Sequence, residues 1–267
     1  MVELNALVAD LRAEGDEIDA LVRDLAPDGW SRPTPAAGWT VAHQIAHLGW
    51  TDERALLAAT APDDFNAEFA SFAGRHGLDS GLDSIVDQEA AREAARPDLL
   101  DWWRAGRDKL AAALLDLPPG TKLPWYGPPM SAASMATARL METWAHGQDV
   151  ADALGTRRTP TARLRHVAHI GVRTRNFAYL TRGLSTPDEE FRVELLAPDG
   201  ELWTWGPEEA AQRVTGPALE FCLLVTQRVH RADTALVAVG DDANEWLTIA
   251  QAFAGPPGTG REIGSRG

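Results

Sequence analysis

Two stretches of the chain pair acid-base side chains four residues apart: His43-Gln-Ile-Ala-His47 and Glu142-Thr-Trp-Ala-His146. On an α-helix, residues i and i+4 lie roughly 40° apart in azimuth and about 6 Å apart along the axis, so each pair can point into one space. Two such pairs on facing helices offer two to four nitrogen and oxygen ligands, the arrangement of a metal site in a bundle core. On a helical wheel His43 and His47 border the apolar arc beside Trp50 and Leu57, with Thr51 and Arg54 on the wet side. Glu142 and His146 share an arc with Met135 and Asp149, away from the Leu140, Trp144 and Leu154 stripe, and Asp149 is placed to orient His146 as an acceptor. Spacing alone leaves the bland alternative standing, because seven histidines is an ordinary number for 267 residues and many such pairs are solvated or packed.

The elements that must position these residues are legible in the hydrophobic periodicity. Leu4, Leu7, Val8, Leu11, Ile18, Leu21, Val22 and Leu25 fall at helical spacing over 3–25. After a proline-rich loop over 30–39, Thr40 is an N-cap candidate for a second helix through Val41, Ile45, Leu48 and Leu57. Shorter helical pieces with loops are expected over 63–95, including a Gly-Leu-Asp repeat at 77–83. Pro97 suits the first turn of a third long helix ended by Pro118-Pro119-Gly120. Ser131 can cap a fourth, stopped by Gly155. Four long helices with core-facing stripes predict an all-α four-helix bundle. Beyond Pro160 the pattern changes: a helix over 161–183, a hairpin of 191–196 and 201–205 around Pro198-Asp-Gly200, and a third strand near 212–215. A helix from Pro217 to about His230, a strand over 235–239 and a helix over 241–254 complete a smaller α+β half. The expected domains are 1–157 and 158–267.

Composition bounds the functions available. A single cysteine, Cys222, excludes a disulfide framework, and its place in the apolar run 219–225 predicts a buried small hydrophobe. No apolar run is long enough to span a membrane, and Met1-Val-Glu-Leu-Asn5 has no secretory pattern, so a cytoplasmic protein is expected. The net charge of −14 disfavours nucleic acid as a partner. The expected partner is a small-molecule substrate, with neither nucleic acid nor membrane, and the chain itself is read as a monomer or homodimer. Trp102, Trp103, Trp144 and Trp246 fall on helix stripes and are expected in the core, whereas Trp39 and Trp50 flank the first histidine pair.

The segment Gly38-Trp-Thr-Val-Ala-His-Gln-Ile-Ala-His-Leu48 resembles the first metal-ligand motif of the DinB-like superfamily, nearest to its mycothiol-dependent maleylpyruvate isomerase family. Met141-Glu-Thr-Trp-Ala-His-Gly-Gln-Asp-Val150 is similar to the second motif of that family. The resemblance extends along the whole chain in order, and the C-terminal part is similar to an actinobacterial group labelled as wyosine base formation proteins. It implies a DinB-like four-helix metal-binding domain, then a smaller C-terminal α+β domain, with His47, Glu142 and His146 as metal ligands. Many relatives carry Asp where this chain has His43, which is therefore expected to support the site or shuttle protons rather than close it as a fourth ligand. Zinc is the default ion for two imidazoles and a carboxylate, with nickel, iron or manganese also accepted. An open coordination position lowers the pKa of a bound water or thiol, and the resemblance implies the thiol, with mycothiol as cosubstrate. It thus implies S-transfer or isomerisation of a small electrophile, with an arginine of the C-terminal domain aiding an anionic substrate. Arg228 and Arg231 are the candidates there, and Arg54, one turn beyond Trp50, is an equal rival. Two other readings stand beside it: a metal-dependent hydrolase using activated water, and a non-catalytic small-molecule binding protein with a structural metal.

Overall fold

The computed structural model describes residues 3–76, 82–258 and 260–265, and the chain divides into two compact units, Met1–Arg157 and Arg158–Gly267. The first is helical, with α1 (Leu4–Val22), α2 (Pro27–Trp30), α3 (Val41–Thr60), α4 (Pro62–His76), α5 (Leu82–Ala94), α6 (Leu99–Asp116) and α7 (Ala132–Leu154). Helices α1, α3, α6 and α7 form the bundle: α3 packs on α6 and α7, and α1 packs on the same two from the other side. Ile18 and Val22 of α1, Val41, Ile45 and Leu48 of α3, Leu99 and Trp103 of α6, and Val150 of α7 make one buried cluster. The stripe read from the sequence is therefore the bundle seam.

Caps fix where the site-bearing helices begin and end. Thr40 starts α3 through a capping box in which the Thr40 N–H donates to Nδ1 of His43 at 3.3 Å. The Oγ of Ser131 accepts from the Ser134 N–H at 3.1 Å, and Gly155, at φ 66°, ends α7. Other boundaries differ from those predicted. Helix α6 begins at Leu99 rather than Pro97, with the Arg96 guanidinium bonded to Asp98 ahead of it. The pieces expected over 63–95 are the two helices α4 and α5, while 77–81 of the Gly-Leu-Asp repeat lie outside the described residues.

The second unit contains α8 (Leu164–Arg173), α9 (Arg175–Leu180), β1 (Phe191–Leu196), β2 (Leu202–Trp205), β3 (Gln212–Pro217), α10 (Ala218–Val225), β4 (Val237–Val239) and α11 (Asp241–Ile249). The sheet order is β2-β1-β3-β4, with β1 antiparallel to β2 through the Ala197–Gly200 turn, parallel to β3, and β3 antiparallel to β4. Phe191, Val193, Leu195 and Val214 are buried, and the rings of Phe191 and Phe221 each pack edge-on against Trp246 of α11. The single helix expected over 161–183 is two, broken at Thr174, where φ is −91° and ψ 7° and the hydroxyl donates to the Gln251 carbonyl at 2.7 Å, with the carbonyls of Ile170 and Gly171 also in reach. The helix expected to reach His230 stops at Val225 instead. Gln227 takes φ 61°, and the N–H of Arg228 bonds back to Leu223, a left-handed stop built without glycine. Among the described residues no helix is long and apolar enough to cross a membrane.

Two helical glycines separate packing from propensity. A Cβ at Gly49 would collide with the Trp102 ring, whereas one at Gly106 would meet nothing within 4 Å. Gly106→Ala is expected to raise stability by about 0.5–1 kcal/mol, the ordinary helix gain. Gly49→Ala is expected to lower it by about 1–3 kcal/mol through overpacking. Urea denaturation of the two variants checks both signs.

Candidate metal centre

Helices α3 and α7 run antiparallel, so ascending residues on one meet descending residues on the other. At one end the Gln44 side chain meets His146, in the middle His47 meets Glu142, and at the far end Asp52 meets Arg139. The last is a buried ion pair, with Arg139 Nε donating to Asp52 Oδ1 at 2.9 Å. Between these two cross-links, Nε2 of His146 lies 3.3 Å and Nε2 of His47 4.0 Å from Oε2 of Glu142. One ligand atom from each of the three residues falls within 4.8 Å of the others. A tetrahedral ion with bonds of about 2.0–2.2 Å holds its ligand atoms roughly 3.4 Å apart, so these donors, at 3.3 Å, 4.0 Å and within 4.8 Å, match such an ion after contractions of at most about 1.4 Å.

Electrostatics favour the ionised carboxylate of Glu142. Burial alone pushes the Glu142 carboxyl up, but the hydrogen bond from His146 and the charges of His146, His47 and Arg139 outweigh it and hold its pKa at about 2. Glu142 is therefore a carboxylate throughout the neutral range.

The tautomer of His146 follows from a chain of hydrogen bonds ending on a backbone carbonyl. That carbonyl, of Trp39, can only accept, so the Thr34 hydroxyl donates to it at 3.0 Å. The Thr34 oxygen then accepts from Nε2 of Gln44 at 2.9 Å, which leaves Oε1 of Gln44 to accept from Nδ1–H of His146. With Nδ1–H committed to Gln44, Nε2 is the nitrogen of His146 that faces Glu142 and His47, bonding the Glu142 carboxylate while protonated and offering its lone pair to an ion once that proton leaves. Sequence reasoning gave this orienting role to Asp149, but the group on Nδ1 is Gln44, fully buried between the two α3 histidines. Its signal was present as a lone amide among the apolar Val41, Ile45 and Leu48.

Trp39 covers the site. The loop ahead of α3 is pinned by Thr34 N–H to Trp39 O at 2.8 Å and by Val41 N–H to Arg32 O at 3.0 Å. The indole thereby lies 5.4 Å from the His47 ring and 6.0 Å from the His146 ring, nearly parallel to the latter, with Nε1 bonded to Asp87 of α5.

Other candidates lie elsewhere. Nδ1 of His43 caps α3 by accepting from Thr40, and His43 is not part of the three-residue cluster. Thr51, expected on the wet side, is buried, its hydroxyl donating to the His47 carbonyl at 2.7 Å. Arg54 is paired with Glu68 and lies over Trp50. Arg228 belongs to the second unit, where Nη1 donates to the Thr226 carbonyl at 2.6 Å, and Arg231 binds Thr234 and the Leu236 carbonyl. Cys222 is fully buried, and burial pushes its thiol pKa well up, so it is no nucleophile. Trp103, Trp144 and Trp246 are core residues, while Trp102 is half-buried with Nε1 on Glu53.

Comparison with known proteins places this geometry in context. The family described as Mycothiol maleylpyruvate isomerase N-terminal domain matches residues 11–151, and that described as Wyosine base formation matches 187–239. Two uncharacterized proteins of Mycobacterium tuberculosis, strains CDC 1551 and H37Rv, are each 56% identical over 262 residues, covering 98% of this chain and 100% of theirs. The crystal structure of a mycothiol-dependent maleylpyruvate isomerase superposes with a TM-score of 0.58 at 16% identity, covering 89% of this chain and 93% of that one, and a point mutant of it does the same. At that identity the likeness is one of fold: a helical N-terminal part followed by a small sheet-containing domain.

Replacing the amide that orients His146 tests the tautomer argument. Gln44→Leu is expected to fold and to bind a divalent ion about 10–100-fold more weakly, the range for loss of a residue that orients a ligand. Competition against a chromophoric chelator measures it, and unchanged affinity would refute the hydrogen-bond chain.

Proposed function

Because the chain belongs to the family of the mycothiol maleylpyruvate isomerase N-terminal domain, we propose that it is a metal-dependent enzyme of low-molecular-weight thiol chemistry, catalysing S-transfer or isomerisation of a small electrophile. The observation that carries this reading is the convergence of His47, Glu142 and His146 within 4.8 Å on two helices of the family's matched region. Two imidazoles and a carboxylate leave coordination positions open, as a catalytic centre needs and a closed structural site lacks. The ion they would hold, zinc by default, would bind a thiol such as that of mycothiol and make it a thiolate at neutral pH.

The remaining work falls to the chain's own groups. Glu142, ionised, supplies negative charge and an oxygen donor. His146 offers Nε2 because Gln44 holds the proton on Nδ1. Trp39 screens the imidazoles from water on its side, which strengthens every electrostatic contact beneath it. In neutral His43, Nδ1 accepts from Thr40, so the proton sits on Nε2, the atom from which His43 would pass it on. Arg228 is the proposed cation for an anionic electrophile.

Elemental analysis of the purified protein, paired with an electrophile screen with and without added mycothiol-type thiol, tests the proposal. About one divalent ion per chain and thiol-dependent turnover are expected. His47→Ala should keep the far-ultraviolet spectrum of the fold, lose the ion and cut turnover by more than about 100-fold, beyond the loss for a residue that merely orients a ligand. Turnover that persists without thiol would favour water as the nucleophile and overturn the thiol assignment.

A further inference from the structure

The second unit carries a cavity of about 140 Å³ that the proposed chemistry does not use. Its walls include Arg182, after α9; Gln227, His230 and Arg231, after α10; Thr248 of α11; and Arg261 of the C-terminal tail, with no Asp or Glu among the lining residues. Three arginines lining one small space are costly to bring together, since like charges repel and burial strips hydration. A chain of net charge −14 has carboxylates to spare for neutralising them. Yet among the described residues neither Arg182 nor Arg231 is within ion-pair distance of a carboxylate, and Nη1 of Arg182 is buried with no hydrogen-bond partner. Burial alone depresses the Arg182 pKa, with nothing acidic to offset it.

The neighbouring donors are held in place. Arg231 is fixed by Nη1 to Thr234 Oγ1 at 2.9 Å and by Nη2 to the Leu236 carbonyl at 2.7 Å, which orients its guanidinium without cancelling its charge. Nδ1 of His230 accepts from the Ala232 N–H at 3.0 Å, so neutral His230 keeps its proton on Nε2 and is a donor. Gln227 is the one non-glycine residue with positive φ among the described residues, a backbone conformation retained only where its surroundings impose it.

We propose that this cavity is a binding site for a phosphoryl group, either free phosphate or the phosphate of a small metabolite. Arginine is the residue suited to oxyanions because its planar fork gives paired charge-assisted hydrogen bonds. A single fork satisfies a planar carboxylate, whereas three arginines from three chain segments suit a tetrahedral oxyanion, whose oxygens point several ways. The volume admits such a group and leaves room for part of a larger molecule that carries it. Arg228, the residue proposed for the electrophile, is not in this wall.

Calorimetric titration of the full-length protein with inorganic phosphate, against sodium chloride of equal ionic strength and against succinate, tests the site. Saturable phosphate binding, tighter than that of succinate, is expected. Arg182→Gln and Arg261→Gln, each checked for folding by circular dichroism, should each weaken it by about tenfold or more, as expected for loss of a hydrogen bond to a charged group. His47→Ala should bind phosphate unchanged, which separates this cavity from the candidate metal centre. Absence of saturable binding, unchanged affinity in either arginine variant, tighter succinate binding, or loss of binding in His47→Ala would each overturn the assignment. A phosphorylated sugar that binds more tightly than free phosphate, by an increment insensitive to Arg182→Gln, would identify the metabolite as the source.

Discussion

The register between α3 and α7 is the constraint on which the candidate centre depends. Two polar cross-links set it, Gln44 to His146 at one end and the buried Asp52–Arg139 pair at the other, and the three candidate ligands lie between them. Apolar seams tolerate sliding and repacking, because dispersion and burial are non-directional. A buried ion pair does not: displacing one partner strands a charge in the interior, at a cost of about 3–5 kcal/mol. Polar groups inside the bundle therefore specify one alignment among several that the hydrophobic stripe alone would permit.

The same contacts set the chemistry of the ligands. A histidine near a carboxylate can adopt either tautomer, and only one points a lone pair at the shared space. Here the choice is made by a sequence of donors and acceptors running from the Trp39 carbonyl through Thr34 and Gln44. That loop also places the Trp39 indole over the imidazoles, so a few backbone and hydroxyl contacts ahead of α3 fix both proton position and solvent screening.

Arginines are matched to acids in both units, Arg192 and Arg213 sharing Glu194 in the second. In the bundle the pairs include Arg139 with Asp52, Arg104 with Asp19 and Arg54 with Glu68. In the second unit Arg182 and Arg231 line a small cavity with no acid in its wall. Charge complementarity elsewhere in the chain makes that local imbalance informative.

By itself the sequence determined the periodic elements and the residues with chemical capacity. The bundle stripe, the Thr40 and Ser131 caps, the Gly155 stop, the Pro-Asp-Gly hairpin and the paired His and Glu positions are local patterns, set by side-chain spacing and backbone propensity. What tertiary structure decided were the pairings between distant segments. Gln44 rather than Asp149 on Nδ1 of His146 depends on a contact across 102 residues. The break at Thr174 comes where a hydroxyl reaches Gln251, 77 residues away. The end of α10 at a left-handed Gln227, and the parallel pairing of β1 with β3, likewise carry no local signature. Periodicity encodes which face of an element is buried; it does not encode what that face meets, because the partner is chosen by packing of the whole chain.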